Sequence, residues 1–138
     1  MKRIKNDLLR VIDANFNRTK EGLRVAEDIF RFILESKRLY VKIKKLRHDL
    51  DAIATKNIIK TAAVSRRTQD DPGRKTDNLE LNRRGALDIA QINLQRAKES
   101  LRVLEECFKV MRPEEVAFLK KMRYSLYAIE GDFLSKRW

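Results

Sequence analysis

Asn15 and Arg18, three residues apart, reappear as Asn93 and Arg96, 78 positions further on. On a helix that advances ~100° per residue, both members of each pair fall within an apolar arc. In the first copy that arc is Ile12, Phe16, Leu23, Ala26, Phe30 and Ile33, widened by Val25, Ile29 and Phe32; in the second it is Leu94, Leu101, Leu104, Cys107 and Phe108. Lys20, Arg24, Glu27 and Arg31 fall on the opposite, polar side. A guanidinium withdrawn from water costs on the order of several kcal/mol unless a carboxylate or an external anion meets it. Two readings follow. Arg18 joins Glu21 or Glu99 in a buried network that fixes helix register, or the two Asn/Arg pairs converge on a bound oxyanion, which the planar Arg fork grips in bidentate fashion.

A second group of chemically capable residues lies between the copies. Ser65-Arg66-Arg67-Thr68-Gln69-Asp70-Asp71-Pro72-Gly73-Arg74-Lys75 gathers four cations, two adjacent acids and a Pro-Gly turn. Long connections in small chains are often functional lids. Asp70 or Asp71 suits magnesium, which takes one or two carboxylates together with phosphate oxygens. An ordinary exposed linker would have the same composition.

Other sites are missing from the sequence. There is no GxxxxGK[ST] run and no GxGxxG after a strand, so a nucleotide site here is not a P-loop. His48 stands where the second copy has Tyr124 and reads as a helix-surface or structural residue, beside Arg47 near any phosphate site. Cys107, the sole cysteine, replaces Ile29 on the apolar arc and reads as core.

The elements that position these residues follow from the repeat. Asn15–Phe30 returns as Asn93–Phe108, and Lys44–Leu50 returns as Lys120–Leu126. Each half is therefore a long helix, a short connection and a second helix. Ser36 caps a helix carrying Leu39, Ile43, Leu46, Leu50 and Ile53, and Pro113-Glu114-Glu115 opens the last one. Thr76 or Asp77 would cap the third helix ahead of Leu79 and Leu81, and a short helical turn is expected at Asn57–Thr61. The fold predicted is all-α: a four-helix bundle of two repeated helical hairpins with pseudo-two-fold symmetry and a long central loop. The expected organisation is a single domain over 1–138, with repeat one at about 1–54, the connection at about 55–77 and repeat two at about 78–138. A first helix of thirty-odd residues would span ~50 Å, which favours bending or a homodimer.

Composition closes off whole classes. With only four Gly and two Pro in 138 residues, turn-rich sheet folds are excluded. No apolar run approaches the ~20 residues of a membrane span, and the cationic start lacks the apolar stretch of a secretory signal. A cytoplasmic location is expected. The net charge of +12 attracts polyanions without choosing among nucleic acid, acidic membrane and phosphorylated metabolites.

The motifs together resemble a known family. Ile12-Asp13-Ala14-Asn15-Phe16-Asn17-Arg18 with Glu21-Gly22-Leu23-Arg24-Val25, then Leu46-Arg47-His48, Ser65-Arg66, Asp71-Pro72-Gly73, Asn93 to Glu106 and Met122-Arg123-Tyr124 look like the small hydroxymethylpyrimidine-phosphate kinases of thiamine biosynthesis. These occur alone or fused ahead of thiamine-phosphate synthase (thiamine-phosphate pyrophosphorylase). The chain is too short and too helical for that synthase's TIM barrel, which needs ~200 residues or more. Ser100 in place of Gly22, and Arg67 where the resemblance implies an acid, are departures from the pattern.

The resemblance implies phosphoryl transfer from ATP to 4-amino-5-hydroxymethyl-2-methylpyrimidine phosphate, with Mg2+ as cofactor and ATP as co-substrate. Such transfer relies on positioning and charge stabilisation rather than a strong base. The roles expected on that basis are Asn15, Arg18, Asn93 and Arg96 binding pyrimidine phosphate and nucleotide, Arg66 and Arg47 neutralising the transferring group, Asp71 holding magnesium, and Gly73 allowing close backbone approach. Two other classes remain open. A basic nucleic-acid-binding module would explain the charge, though its cations lack clustered aromatic partners. A helical mutase of the chorismate type would also use Arg projecting into a bundle, without ATP.

Overall fold

The computed structural model describes residues 2–54, 57–77 and 83–138. All regular structure among them is helical. Helix α1 (Lys2–Asp28) runs on through a π-helical turn, Ile29–Ile33, and ends at Leu34, whose N–H donates to the Ile29 carbonyl. Glu35 then adopts a left-handed conformation (φ 51°), and the Ser36 N–H reaches back to the Phe30 carbonyl, closing the helix end. Helix α2 (Lys37–Asp49) begins at Ser36, whose side chain accepts from the Leu39 N–H at 3.3 Å, and α3 (Asp51–Ala54) extends it. Helix α4 is Ile58–Val64, α5 is Ala86–Met111, and a 3-10 turn at Pro113–Glu115 leads into α6 (Val116–Leu134).

The four long helices close a ring. Helix α1 packs on α2 and α5, α5 on α6, and α6 on α2, while α4 lies on α1. Leu39, Ile43, Leu46, Leu50 and Ile53 of the second helix and its extension are buried, as are Leu94, Leu101, Leu104, Cys107 and Phe108 of α5. Phe30 and Phe133 meet near one end, ring centroids 5.4 Å apart. Burial pushes the Cys107 thiol pKa up, in keeping with an inert core residue.

The π turn explains where the helical wheel fails. A wider turn holds more residues and shifts the phase of everything beyond it. Phe30 stays at 0% exposure, but Phe32 and Ile33 come to 62% and 59% instead of joining the arc. Two other expectations need correction. Helix α5 starts at Ala86 after Gly85, not behind a cap at Thr76 or Asp77; Leu79 and Leu81 lie outside the described residues. The central connection is also more ordered than one helical turn, because α4 seats Ile58 and Ala62 in the core.

Small residues set the approach of α1 to α5. A Cβ built on Gly22 would lie 2.9 Å from the Asn93 carbonyl oxygen and 3.5 Å from the Ala97 Cβ. One turn away, the buried hydroxyls of Thr19 and Ser100 are 2.6 Å apart. These contacts, 22 with 97 and 19 with 100, exchange when 78 is added to one partner and subtracted from the other. The helices are antiparallel and the repeat's pseudo-two-fold axis passes between the contacts. Gly22→Ala should therefore destabilise. The usual helix gain of ~1 kcal/mol is outweighed by roughly 2–3 kcal/mol of overpacking against a backbone atom, a net loss of about 1–2 kcal/mol readable by urea unfolding. Glu35→Gly should do the opposite: relief of a left-handed non-Gly residue, about 1–2 kcal/mol, exceeds the entropic cost of glycine and raises Tm by a few degrees.

Candidate functional site

Over the α1–α5 seam lies a cleft of about 640 Å³. Its walls repeat the sequence duplication: Asn15, Arg18, Glu21 and Gly22 from α1 face Asn93, Arg96, Glu99 and Ser100 from α5, with Val103 and Thr76 completing the lining. The small residues that bring the backbones together leave the longer side chains to flare outward at i−4 and i−1 around them. The seam therefore has a narrow floor and polar walls.

The two asparagines are held alike. Asn15 Nδ2 donates to the Val11 carbonyl at 2.9 Å and Asn93 Nδ2 to the Ile89 carbonyl at 2.8 Å. Each amide nitrogen spends one N–H on its own helix and keeps the other, and the carboxamide oxygen keeps acceptor capacity. Asn15 Oδ1 receives only a long 3.5 Å bond from Arg18 Nη1. Glu99 accepts from Gln95 Nε2 at 3.0 Å. The cleft thus offers hydrogen-bond acceptors on its carboxamides and carboxylates, and guanidinium donors beside them.

Arg18 and Arg96 are both exposed. They are neither sunk into the bundle nor neutralised by Glu21 or Glu99, and among the described residues no carboxylate pairs with either. This corrects the placement of both arginines inside the apolar arc and overturns the buried network with Glu21 or Glu99. The two residues sit on its rim, where none of the described helices covers them, so water solvates their charge and an anion can displace that water.

The guanidiniums withdrawn from water are different ones, Arg123 buried and Arg47 partly so. Arg47 pairs with Glu27 (Nε to Oε1, 2.9 Å), and its repeat mate Arg123 pairs with Glu105 through Nε and Nη2 while Nη1 donates to the Tyr127 hydroxyl at 2.9 Å. Glu27 is 2% exposed and Glu105 3%, which overturns the placement of Glu27 on the polar side. The carboxylate and its hydrogen bonds hold the Arg123 pKa well above its ordinary value. Arg47 lines neither the cleft nor its extension. It is a packing partner of Glu27, and its expected role at the transferring group is not supported by its position.

A second cavity of about 790 Å³ adjoins the cleft, sharing Asn15, Arg18 and Glu21 with it. The connection after α4 builds its outer wall. Arg66 clamps Asp13 with two bonds, Nε to Oδ2 at 2.6 Å and Nη2 to Oδ1 at 2.7 Å, and Arg67 approaches Asp7 at 3.5 Å. Asp13 is only 6% exposed, so the pair fastens the connection to α1. Arg66 lines the cavity but spends its fork on Asp13, which makes it a clamp before it is a catalytic group. That contact raises the Arg66 pKa further.

Asp71 also faces this cavity, its Oδ1 accepting the Gly73 N–H at 2.8 Å. Gly73 itself lines neither cavity, so its backbone is not at the site. His48 is exposed and lies with Asp51, 3.9 Å away, outside both cavities. Among the described residues no three His, Cys, Asp or Glu side chains group to hold a metal. Asp71 alone still fits magnesium of the kind that arrives on a nucleotide and needs only one protein carboxylate. Sequence reasoning missed Glu21, Glu99, Asp13 and Arg10 as site residues. The first two recur in the repeat (Lys20-Glu21, Lys98-Glu99), a signal that could have found them.

The comparisons agree with the sequence reading at the level of family. A protein named thiamine-phosphate synthase from Nostoc punctiforme is 34% identical over 126 residues, covering 91% of this chain and 35% of that protein. One of the same name from Synechocystis sp. is 37% identical over 131 residues, covering 94% and 37%. A third, from Gloeobacter violaceus, is 35% identical over 125 residues, covering 90% and 36%. The chain thus spans little more than a third of the length of these relatives. No solved structure matches it. No described helix is long and apolar enough to cross a membrane. Residues 10–132 match the ThiD2 family, and the chain belongs to it.

Proposed function

We propose that this chain is an enzyme of thiamine biosynthesis that transfers a phosphoryl group from ATP to 4-amino-5-hydroxymethyl-2-methylpyrimidine phosphate. The relatives' shared name supports the pathway, and the chain's likeness to only about a third of each supports a separate step within it. The observation that carries the reading is the paired lining of the seam. Carboxamide and carboxylate acceptors suit the N–H donors of an aminopyrimidine, and a guanidinium within the same wall suits its phosphate.

The chemistry asks little of a base. An oxygen of the pyrimidine phosphate, already anionic at neutral pH, attacks the γ-phosphorus. The bond from that phosphorus to the β–γ bridging oxygen breaks, and ADP leaves with the electron pair. The difficulty is the repulsion between two polyanions, and Arg18 and Arg96, which line the same cleft from opposite helices, would offset it. Magnesium held by Asp71 would supply further charge neutralisation to the phosphates. Arg66, while clamped to Asp13, presents its remaining nitrogen to the cavity and keeps the connection in place.

The test is product analysis with the purified chain. Magnesium-ATP and the pyrimidine monophosphate should yield ADP and pyrimidine diphosphate in equal amounts. Synthesis of thiamine phosphate by this chain from the pyrimidine diphosphate and a thiazole phosphate, with ATP inert, would instead assign it the reaction in its relatives' name. Salt-sensitive binding of arbitrary oligonucleotides without transfer would favour the nucleic-acid module.

A further inference from the structure

The seam is nearly symmetric, but its surroundings are not. Helix α4 and the segment after it pack on α1, and among the described residues the cleft is extended on its α1 side. The second cavity continues into a third, of about 620 Å³, through the shared residues Asp7, Arg10 and Arg67. In the third, Leu9 and Val64 supply apolar side chains beside Arg10 and Arg67. Three connected cavities therefore run from Arg18 past Arg10, Arg66 and Arg67 to an end where Leu9 and Val64 stand among polar residues.

We infer that this run along α1 is the nucleotide subsite, with the polyphosphate between Arg18 and Arg67, the nucleoside against Leu9 and Val64, and the α5 half of the seam left to the pyrimidine phosphate. The inference rests on the proposed reaction and assigns its two ligands to the two halves. Its argument is charge and shape. The middle cavity mixes guanidiniums with carboxylates, among them Asp71, which suits a polyphosphate carrying a divalent cation better than a bare anion. The α5 half offers the guanidinium of Arg96, unpaired among the described residues, beside Asn93 and Glu99, which matches a monophosphate joined to a donor-bearing ring. An elongated ligand also explains why the connection is fastened at Asp13 and Asp7, because the clamped residues form the wall it would lie against.

Equilibrium titrations of magnesium-tripolyphosphate, magnesium-ATP and the pyrimidine monophosphate would test the assignment. The proteins are the wild type, Arg67→Ala, Arg96→Ala and Val64→Asp, with folding of each checked by circular dichroism. Arg67→Ala should weaken tripolyphosphate and ATP alike by about tenfold and spare the pyrimidine phosphate, as loss of one charge-assisted contact predicts. Val64→Asp changes a residue that is 82% exposed, so it should fold; it should weaken ATP while leaving tripolyphosphate bound as before. Arg96→Ala should weaken only the pyrimidine phosphate. Weakening of ATP by Arg96→Ala but not by Arg67→Ala, or equal ATP binding in Val64→Asp and the wild type, overturns the assignment. So does a wild type that binds no tripolyphosphate. If the binding pattern is as expected yet no phosphoryl group reaches the pyrimidine phosphate, the nucleotide subsite stands and the proposed reaction falls.

Discussion

Glu105→Leu alone should lower unfolding free energy by about 3–5 kcal/mol, because it leaves the Arg123 guanidinium buried without its carboxylate. Arg123 is 7% exposed, and Glu105 is its only carboxylate among the described residues. A chain of this size has roughly 5–15 kcal/mol in total, so the single variant should sit close to unfolding at 37 °C. Adding Arg123→Met removes the stranded charge and should return most of the loss, since a buried ion pair is often matched by apolar residues of similar volume. Urea titrations of the two single variants and the double give the coupling directly. Simple addition of the single losses would show that the pair is not a unit. Glu27→Leu should cost less, because the Arg47 side chain keeps more contact with water, 14% against 8% for Arg123.

The second large effect concerns turnover rather than folding. Arg18→Ala and Arg96→Ala should each reduce kcat/KM for the proposed phosphoryl transfer by about 10²–10³-fold, the range seen when one donor to a developing anionic centre is deleted. Both side chains are exposed and free of carboxylate partners among the described residues, so stability should move by no more than ~0.5 kcal/mol. Lysine at either position should recover only part of the loss, since a point charge lacks the planar fork. Full activity in both folded alanine variants would remove the seam from the reaction.

The contrast between these two predictions shows what the sequence revealed and what it hid. The duplicated Asn/Arg pattern located the seam, because internal similarity fixes which residues share a symmetric environment whatever the packing. Helical periodicity likewise placed the core of α2 and α5. Periodicity could not say which polar residues were covered. Arg18 and Glu27 both lie near the edge of the α1 apolar arc, and only the neighbouring helices decide their fates. Helix α2 lies over Glu27 and brings Arg47 to it, whereas among the described residues no ion-pair partner is brought to Arg18, which stays exposed. A wheel drawn for one helix contains no information about its neighbours. The π turn was hidden for a related reason, since a change of phase inside one helix leaves no composition signal. The clamp between Asp13 and Arg66 joins residues 53 apart in sequence and could be seen only once α4 had been placed.

The seam also bears on how two such halves came to prefer each other. Two identical first halves joined about the same axis would set Thr19 against Gly22 at both crossings, leaving each hydroxyl facing hydrogen. Two identical second halves would set Ala97 against Ser100 twice, again without a mate for either hydroxyl across the axis. In the duplicated chain the crossings have become unequal: one pairs hydroxyl with hydroxyl, and the other admits the closest backbone approach. The two unlike halves therefore fit each other better at these crossings than either would fit its own copy. The two hairpins expressed separately should associate with one another in preference to self-pairing, as mixing them and measuring the complexes formed would show.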